Sequence, residues 1–190
     1  MEQKLTENKA FEKKDFRKTP LQKGEYEQCK FNNCDFTESD LSGIKFIDCE
    51  FINCNLSLVR FADTVLRDIK FKDCKMVGLH FENCAEFGLS FSFENCALDH
   101  SSFYKRKIQK TSFKDCQLHE TDFTECDISG SVFNNCDLSR AVFIHSVLEK
   151  ADFSTSYNYT IDPEINKIKN AKFSKEGLAG LLTKYDIKIV

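Results

Sequence analysis

The sequence has no tryptophan, only two prolines and two methionines, and no apolar run of membrane-spanning length among its 190 residues. The first fourteen residues, MEQKLTENKAFEKK, are charged and match neither a signal peptide nor a membrane anchor. We therefore expect a cytoplasmic protein without a membrane span.

Motifs that carry catalysis are also missing. The sequence contains no glycine-rich phosphate loop, no HExxH pair and no nucleophile elbow. Serine, histidine and aspartate are instead scattered over positions that the repeat described below directs outward. We therefore expect no enzyme and no cofactor. The opposite interpretation would require a deep pocket that contains perturbed acidic groups.

A five-residue period organises what the sequence does contain. From Phe93 to Phe153 a large apolar residue, here called the centre, returns at every fifth position, and from Leu98 onward the residue two before it is small except at Arg106. Neither the helical period of 3.6 nor the strand period of 2 reproduces this spacing. The chain must turn a corner within each repeat, so that one large and one small side chain point inward and three point outward.

A twenty-residue period is nested in the first, because like residues recur four repeats apart. It predicts a four-sided coil in which each residue stacks on its counterpart in the next coil, about 4.8 Å away. Eighteen of the nineteen phenylalanines fit the centre positions, and the exception is Phe87. The predicted core centres include Phe31, Phe51, Phe71, Phe103, Leu118, Phe123, Phe133 and Phe143.

All ten cysteines occupy the small inward position. Six of them lie four repeats apart in succession: Cys34, Cys54, Cys74, Cys96, Cys116 and Cys136. Stacked cysteines with parallel side chains have poor disulfide geometry, and a free buried cysteine behaves as a small apolar residue. The four histidines fall on outward positions, so the ligand grouping of a zinc site is missing. The cysteines are therefore interpreted as packing residues, and no metal is expected.

The regular frame predicts three segments, an N-terminal segment at 1–23, the repeat region at 24–155 and a C-terminal cap at 156–190. In the first segment Lys9 and Lys14 fall on small inward positions, where a lysine cannot be buried without a partner. We therefore expect residues 1–23 to form a strand or cap over the lower end, or else a frayed tail.

The C-terminal segment carries helix signals. Asp162, followed by proline, is expected to start one helix, and Ser174 to cap a second one, before a terminal strand at 187–190. An apolar face of the second helix follows the spacing i, i+3, i+4, i+7. It consists of Leu178, Leu181, Leu182 and Tyr185. This apolar surface is larger than is needed to cover one end of the solenoid. We therefore expect it to form a two-fold dimer.

The repeat frame slips by two residues between Cys84 and Phe93, which predicts a bulge in one coil. Glu86 falls where a centre is expected, unless Phe87 takes that place, and Arg106 occupies the small inward position one coil later. The sequence therefore predicts either a Glu86–Arg106 ion pair between two coils or two side chains that each reach water at the bulge.

Repeats such as CDLSRAVF (136–143), CDISGSVF (126–133) and CDFTESDL (34–41) resemble the A(D/N)LxX pattern of the pentapeptide-repeat proteins, with cysteine in the place of alanine. Over roughly residues 20–155 this resemblance implies an all-β solenoid, a right-handed quadrilateral β-helix of about seven coils with a short helical cap. The tail YNYTIDPEINKI resembles the ending of the quinolone-resistance (Qnr-type) and microcin-immunity branch. That likeness implies a homodimer through the C-terminus and a DNA-mimicking rod that binds DNA gyrase or topoisomerase IV.

Charge is unevenly distributed along the chain. Residues 24–153 carry 22 acidic against 14 basic residues, a net charge of −8, whereas both ends are net positive. Such a rod repels nucleic acid and attracts a basic protein groove. We therefore predict a protein-binding surface, without direct nucleic-acid binding, that includes Asp48, Asp63, Asp68, Lys105 and Lys107. The alternative is a repeat scaffold with a different partner and no topoisomerase role, which binds through the basic patch at 104–110.

Overall fold

The computed structural model describes residues 4–188 as a parallel β-solenoid that ends in one short helix, which confirms the predicted fold class. The strands within these residues are β1 (Leu5–Glu7), β2 (Ala10–Glu12), β3 (Glu25–Glu27), β4 (Lys30–Asn32), β5 (Lys45–Ile47), β6 (Glu50–Ile52), β7 (Val65–Arg67), β8 (Ile69–Lys72), β9 (Phe91–Glu94), β10 (Ser112–Lys114), β11 (Val132–Asn134), β12 (Asp152–Phe153) and β13 (Lys172–Phe173). Short 3-10 helices span Phe81–Asn83, Glu176–Leu178 and Thr183–Tyr185, and the α-helix α1 spans Ala179–Leu182.

The strands form two parallel sheets on adjacent walls of a four-sided prism. The sheet on wall A has the order β1-β3-β5-β7, and the sheet on wall B runs from β2 to β13 through nine strands. Walls C and D are connected by single parallel bridges, such as Asn55 to Lys75 and Asp122 to Val142. In one coil the four walls present the centres Tyr26 (A), Phe31 (B), Phe36 (C) and Leu41 (D).

Each strand pairs in register with its counterpart one coil away. Phe31 lies opposite Phe51, twenty residues on, whereas Phe71 lies opposite Phe93, 22 residues on, because the frame slips between them. About eight turns are stacked in this way, rather than the expected seven. The difference arises because paired backbone extends below residue 24, in β1 and β2, and above residue 155, in β13.

Columns of phenylalanine fill the prism. The rings of Phe113 and Phe133 stack on wall B with centroids 4.7 Å apart and planes 6° apart. Phe113 meets Phe123 of the opposite wall edge-on, at 6.2 Å and 88°. Both arrangements are favoured for aromatic pairs. All eight predicted centres and the six stacked cysteines are buried, with at most 4% of any one residue exposed.

Left-handed backbone makes the corners between walls. The second residue after a centre has a positive φ in almost every repeat, for example 50° at Asp48, 55° at Asp63 and 58° at Lys105. Asparagine and aspartate tolerate this conformation better than other side chains do. The corners therefore hold polar side chains that point away from the core.

The lower end of the prism is a coil whose inward lysines reach water. Phe16 is buried and stacks on Phe36 at 4.5 Å, as in the coils above. Lys9 and Lys14 are exposed because none of the described residues forms a coil beneath them. The Lys9 ammonium lies 5.0 Å from the centroid of the Phe11 ring. Lysine at the inward position therefore does not prevent this coil from forming, and its strands β1 and β2 pair with the coil above.

Of the two helices predicted at the upper end of the prism, the first is missing and the second is present. Asp162 does not start a helix; its carboxylate accepts a hydrogen bond from the Glu164 amide (2.9 Å) in a turn, because the chain continues for another coil to β13. The Ser174 hydroxyl accepts from the Gly177 amide (2.9 Å) at the start of the helical segment, as predicted. Residues 187–188 form no strand, and the rest of the predicted terminal strand, 189–190, lies outside the described residues.

The helix α1 packs against Tyr159, whose ring continues the aromatic core 5.6 Å from Phe173. A side chain at Gly180 would overlap the Tyr159 carbonyl oxygen, and one at Gly177 would overlap its hydroxyl. These two glycines therefore allow the helix to lie close to the end of the prism. Within residues 4–188, no helix has the length and apolar character needed to cross a bilayer.

Candidate interaction surface

A bulge interrupts wall A in the coil above β7, shortly before β9 of wall B. The Ala85 amide donates to the Thr64 carbonyl (2.9 Å), and the Ser90 amide donates to the Leu66 carbonyl (2.9 Å), as the ladder requires. The four residues between these bonds, 86–89, leave the wall. The sheet of wall A consequently ends at β7, within the part of the chain that the structure describes.

Phe87 stands at the tip of this bulge and is 88% exposed. The suggestion that Phe87 could take the vacant centre is therefore wrong. Phe91 fills the core there instead, with its ring 5.4 Å from Phe81 and 5.1 Å from Phe93. Contrary to the count from spacing, Phe91 is not at a centre position: it pairs with Ile69 and occupies an inward position normally held by a small residue, next to the wall where the centre is missing.

The predicted Glu86–Arg106 ion pair is not formed. Glu86 is exposed on the bulge and has no basic partner within 4.0 Å among residues 4–188. The Arg106 guanidinium donates from Nη2 to the Cys84 carbonyl oxygen at 3.1 Å. In regular coils the equivalent carbonyl accepts a backbone amide, as Thr64 does from Ala85. Arg106 therefore satisfies an acceptor at the edge of the bulge, which explains its place at a position that otherwise holds small residues.

Cys84, whose carbonyl oxygen is this acceptor, has a buried side chain. Burial raises the pKa of its thiol to about 12, although the nearby Arg106 charge lowers it. The thiol is therefore protonated at neutral pH and contributes an apolar surface rather than a charge. Among the described residues, no group of three histidine, cysteine or acidic side chains converges in a way that could hold a metal ion.

The five residues predicted to form the partner surface lie around wall A. Asp48 and Asp68 occupy the corner between walls A and B below the bulge, and Asp63 occupies the opposite corner between walls D and A. Lys105 lies above the bulge on the same corner as Asp63, and Lys107 lies on wall A itself. The structure thus brings all five to one side of the prism, with acidic groups below Phe87 and basic groups above it.

Two of these residues are held by hydrogen bonds. The Asp68 carboxylate accepts from the Ser90 hydroxyl at 2.9 Å, which fixes the end of the bulge to the corner below it. Lys105 lies 3.5 Å from Glu125 and 4.8 Å from the Tyr104 ring centroid. The Tyr104 hydroxyl and then the Glu125 charge raise the pKa of Lys105. Lys105 therefore remains cationic throughout the physiological range.

Other walls carry charges that are largely paired with one another. On wall B, Glu50 lies between Lys30 (3.1 Å) and Lys70 (3.3 Å), and Glu94 lies 3.1 Å from Lys114. On wall C the His119 ring lies between two aspartates of neighbouring coils. Ladders of this kind join neighbouring coils.

The residues of the predicted dimer face lie at the upper end of the prism. Leu178 and Tyr185 are about half exposed (47% and 49%), whereas Leu181 and Leu182 are partly covered and Leu181 packs against the core. The Tyr185 hydroxyl donates to Glu164 at 2.7 Å, which ties the end of the helical segment to the preceding turn. Part of the apolar face therefore serves the chain's own cap, and part stays exposed.

Among solved structures, similar folds are found. A trypsin-treated form of QnrB1, described as a plasmid-mediated fluoroquinolone resistance protein, is 20% identical with a TM-score of 0.51, over 95% of this chain and 98% of that one. HetL, a pentapeptide repeat protein involved in heterocyst differentiation regulation from Nostoc sp. strain PCC 7120, is 12% identical with a TM-score of 0.37, over 90% and 85%. At such identities the QnrB1 likeness shows a shared fold alone.

No curated protein sequence matches the chain. The family model described as pentapeptide repeat region matches residues 24–91 and 89–158, which is most of the prism. This match agrees with the stacked coils, the phenylalanine columns and the small inward residues observed in the structure. The chain therefore belongs to the pentapeptide-repeat family.

Proposed function

We propose that this protein is a non-catalytic, cytoplasmic interaction rod that binds another protein through the bulge on wall A. The observation that carries the proposal is Phe87, which is 88% exposed in a chain whose other phenylalanines point toward the core. A large aromatic side chain on a protruding segment is the kind of residue that anchors protein interfaces.

Charges around the bulge give the proposed interface a direction. Below Phe87 lie Asp63 and Asp68 at the two corners of wall A, with the exposed Arg67 between them on the wall. Lys107 lies above Phe87 without an acidic partner within 4.0 Å. A partner with the complementary order of charges would be oriented before contact, and its association rate would fall as salt rises. Nucleic acid lacks such alternation, and the net charge of −8 over residues 24–153 repels it.

The proposed partner is a type II topoisomerase, either DNA gyrase or topoisomerase IV. An acidic rod suits the basic groove in which such an enzyme holds DNA. QnrB1, which shares the fold, is described as a fluoroquinolone resistance protein, and that class of drug acts on these enzymes. The proposal therefore combines the charge of the prism with a function recorded for a structural relative.

The test compares Phe87→Ser with a matched control, Ile144→Ser. Ile144 is also exposed (41%) but lies on wall D. Binding to purified gyrase is measured by biolayer interferometry, and supercoiling is measured in the presence of a fluoroquinolone. We expect the wild type and Ile144→Ser to bind and to restore supercoiling, and Phe87→Ser to bind at least tenfold more weakly.

Two outcomes would reject parts of this proposal. Absence of any complex or rescue by the wild type, at every concentration, would discard the topoisomerase as partner. Equal binding by the Phe87 and Ile144 variants to whichever partner is captured from the native host would discard the bulge as the interface.

We also propose that two copies associate through the upper end. Leu178 and Tyr185 leave apolar surface exposed there, and a two-fold interface would cover it twice. Sedimentation velocity of Leu178→Glu should show a monomer, whereas Leu58→Glu, at a residue equally exposed (53%) in the middle of the prism, should remain a dimer. A wild-type monomer at all concentrations would contradict the proposal.

A specific observation favours the second candidate function, a scaffold with a different partner. Lys107 and Lys110 are exposed without acidic partners within 4.0 Å, so the patch at 104–110 could bind an acidic protein. Replacing Lys107 and Lys110 with glutamate should abolish binding to such a partner and leave the circular dichroism spectrum unchanged. If gyrase binding is lost in the same variant, the patch belongs to the topoisomerase interface instead.

A further inference from the structure

The lower end of the prism presents two open sheet edges. Strands β1 and β2 pair with the coil above them, and no described residue pairs with their other side. On wall B the Lys30 amide donates to the Lys9 carbonyl oxygen (2.9 Å), so the residue before a centre directs its amide toward the coil below. Ala10, one coil lower, has the same place in the repeat but no coil beneath it within residues 4–188. Unpaired backbone of this kind can accept a further strand.

Two lysine side chains extend into the space beneath these edges. Inward side chains lean toward the coil below, as the Cys34 thiol does when it donates to the Phe11 carbonyl oxygen at 3.4 Å. Lys9 and Lys14 occupy inward positions of the first coil and are exposed. Neither ammonium has an acidic partner within 4.0 Å among residues 4–188. The lower end therefore presents two free positive charges at positions that normally hold small core residues.

Apolar surface lies beside these charges at the spacing of the repeat. Phe11 is partly exposed, and Phe31 covers one face of its ring at 4.7 Å with the planes 4° apart. Phe16 meets Phe11 edge-on at 6.0 Å and 64°. A hollow of about 680 Å³ is lined by Phe11 and Phe16 together with Lys9 and Lys14. One large apolar side chain beneath each ring would extend the two aromatic columns by one step.

Whatever covers this end must supply negative charge. A lysine that loses contact with water in an apolar surrounding needs an acidic partner. Arg106, the charged inward residue of the bulge region, is covered by a coil on each side and finds its partner in the Cys84 carbonyl oxygen. Lys9 and Lys14 have no such acceptor within the described chain, so the partner must bring one for each of them.

We propose that the lower end is a docking site for an extended segment of another protein, which adds a parallel strand beneath β2 and continues onto wall C. In-register pairing, which all strand pairs of the prism share, fixes the position of each side chain of the segment. An acidic residue lies beneath Lys9, and a large apolar residue two positions later lies beneath Phe11. The same pair recurs beneath Lys14 and Phe16. The recognised pattern is therefore acidic–x–apolar–x–x–acidic–x–apolar.

The proposed occupant is not a second copy of this chain. The tandem pattern occurs nowhere in the sequence. Two lower ends would also repel each other, because residues 4–23 carry seven basic and three acidic side chains. The site lies four coils below the bulge, a distance of about 19 Å, and shares no residue with the topoisomerase interface proposed above.

The inward lysines also give the site its specificity. An inward-pointing charge on an edge strand discourages other strands from pairing there. A segment with neutral side chains beneath Lys9 and Lys14 would leave two covered charges without partners, whereas a segment with carboxylates would form two ion pairs. The Lys9 ammonium lies 5.0 Å from the centroid of the Phe11 ring, and binding exchanges this contact for a carboxylate. The edge is therefore closed to most strands and open to an acidic one.

The experiment uses the full chain and a fluorescein-labelled peptide of ten residues. The peptide has aspartate at its second and seventh positions, phenylalanine at its fourth and ninth, and serine or threonine elsewhere. Fluorescence anisotropy should show binding about tenfold tighter than that of two control peptides. One control has asparagine in place of aspartate, and the other has each phenylalanine moved by one position. Hydrogen exchange should slow at the Ala10 and Glu12 amides and stay unchanged at residues 86–89.

Three double variants identify the groups that recognise the peptide. Lys9→Gln with Lys14→Gln should weaken binding about tenfold. Lys13→Asn with Lys18→Gln is the matched control, because it removes two charges at outward corners of the same coil, and it should bind within about threefold of the wild type. Asparagine suits the φ of 50° at residue 13. Lys9→Glu with Lys14→Glu should reject the aspartate peptide and bind one with lysine in both acidic places, a reversal that misfolding cannot produce.

Three results would overturn the proposal. If the wild type binds no peptide at millimolar concentration, the lysines only keep strands away. If the shifted peptide, or polyglutamate of the same length, binds as tightly as the aspartate peptide, the lower end is a diffuse cationic surface without a register. If binding occurs but exchange at Ala10 and Glu12 does not slow, no strand is added. None of these results bears on Phe87 or the bulge, so the proposed function is tested separately.

Discussion

Truncation of one central phenylalanine should reveal how strongly the stacked coils depend on each other. Phe123 is fully buried and lies between Phe103 and Phe143, with ring centroids 5.2 Å and 5.1 Å away. Two further rings from the opposite wall meet it edge-on, at 6.2 Å and 5.9 Å. Phe123→Ala removes all four aromatic contacts and leaves a cavity.

The expected cost follows from how little the site can relax. Truncation of a buried phenylalanine to alanine costs about 3–5 kcal/mol, and the cost is larger where neighbours cannot fill the space. The Asp122 amide donates to the Ser101 carbonyl of the coil below, and the Phe123 amide donates to the Val142 carbonyl of the coil above (2.9 Å each), so collapse is limited. We therefore expect a loss of about 4 kcal/mol in the free energy of unfolding.

Equilibrium urea unfolding, followed by far-UV circular dichroism, measures this loss. The matched control is Phe11→Ala in the first coil, where Phe11 is partly exposed and stacks on one neighbouring coil through Phe31 (4.7 Å). The control should lose about half as much or less. Equal losses in the two variants would refute the reasoning, because the cost would then not depend on whether coils cover the truncated residue on both sides.

Three further changes probe separate features. Arg106→Ala leaves the Cys84 carbonyl without its side-chain donor and should lower the free energy of unfolding by about 1–3 kcal/mol in urea titrations; no loss would mean that water replaces the guanidinium. Gly180→Val should detach the helical cap and speed limited proteolysis there, because a side chain at residue 180 would overlap the Tyr159 carbonyl oxygen; an unchanged cleavage rate would contradict this close packing. Hydrogen bonds from the flanking lysines lower the pKa of Glu50, so its contribution is present above the unfolded value of about 4.3 and is lost as pH falls through the lower folded value. Glu50→Gln should therefore reduce the difference in urea midpoint between pH 6 and pH 3, and an unchanged difference would contradict this.

The sequence predicted the repeating part of the fold because each coil obeys the same rule. An inward residue must be apolar or small, and a residue one coil away lies beside its counterpart, so Phe113 and Phe133 could be placed together from spacing alone. The same rule located the bulge, because the chain must protrude from a wall where the repeat frame shifts.

The rule fails where a residue has a coil on only one side or has left the wall. Lys9 lies at a predicted inward position, but the lower end of the prism is open and its side chain reaches solvent. At the bulge, spacing offered Phe87 for the vacant centre, but Phe91, four residues later, fills the core instead. For Arg106 the sequence offered an ion pair with Glu86 or exposure to water, whereas its acceptor is a backbone carbonyl that no pattern of side chains reveals.

In-register pairing also makes the length of the rod adjustable in fixed steps. Since residues one coil apart are interchangeable in position, removing twenty consecutive residues from β10 onward should join equivalent points and shorten the prism by about 4.8 Å. Across the bulge the same join requires 22 residues, because Phe71 lies opposite Phe93. The bulge therefore stays on wall A when whole coils are added or removed on either side of it.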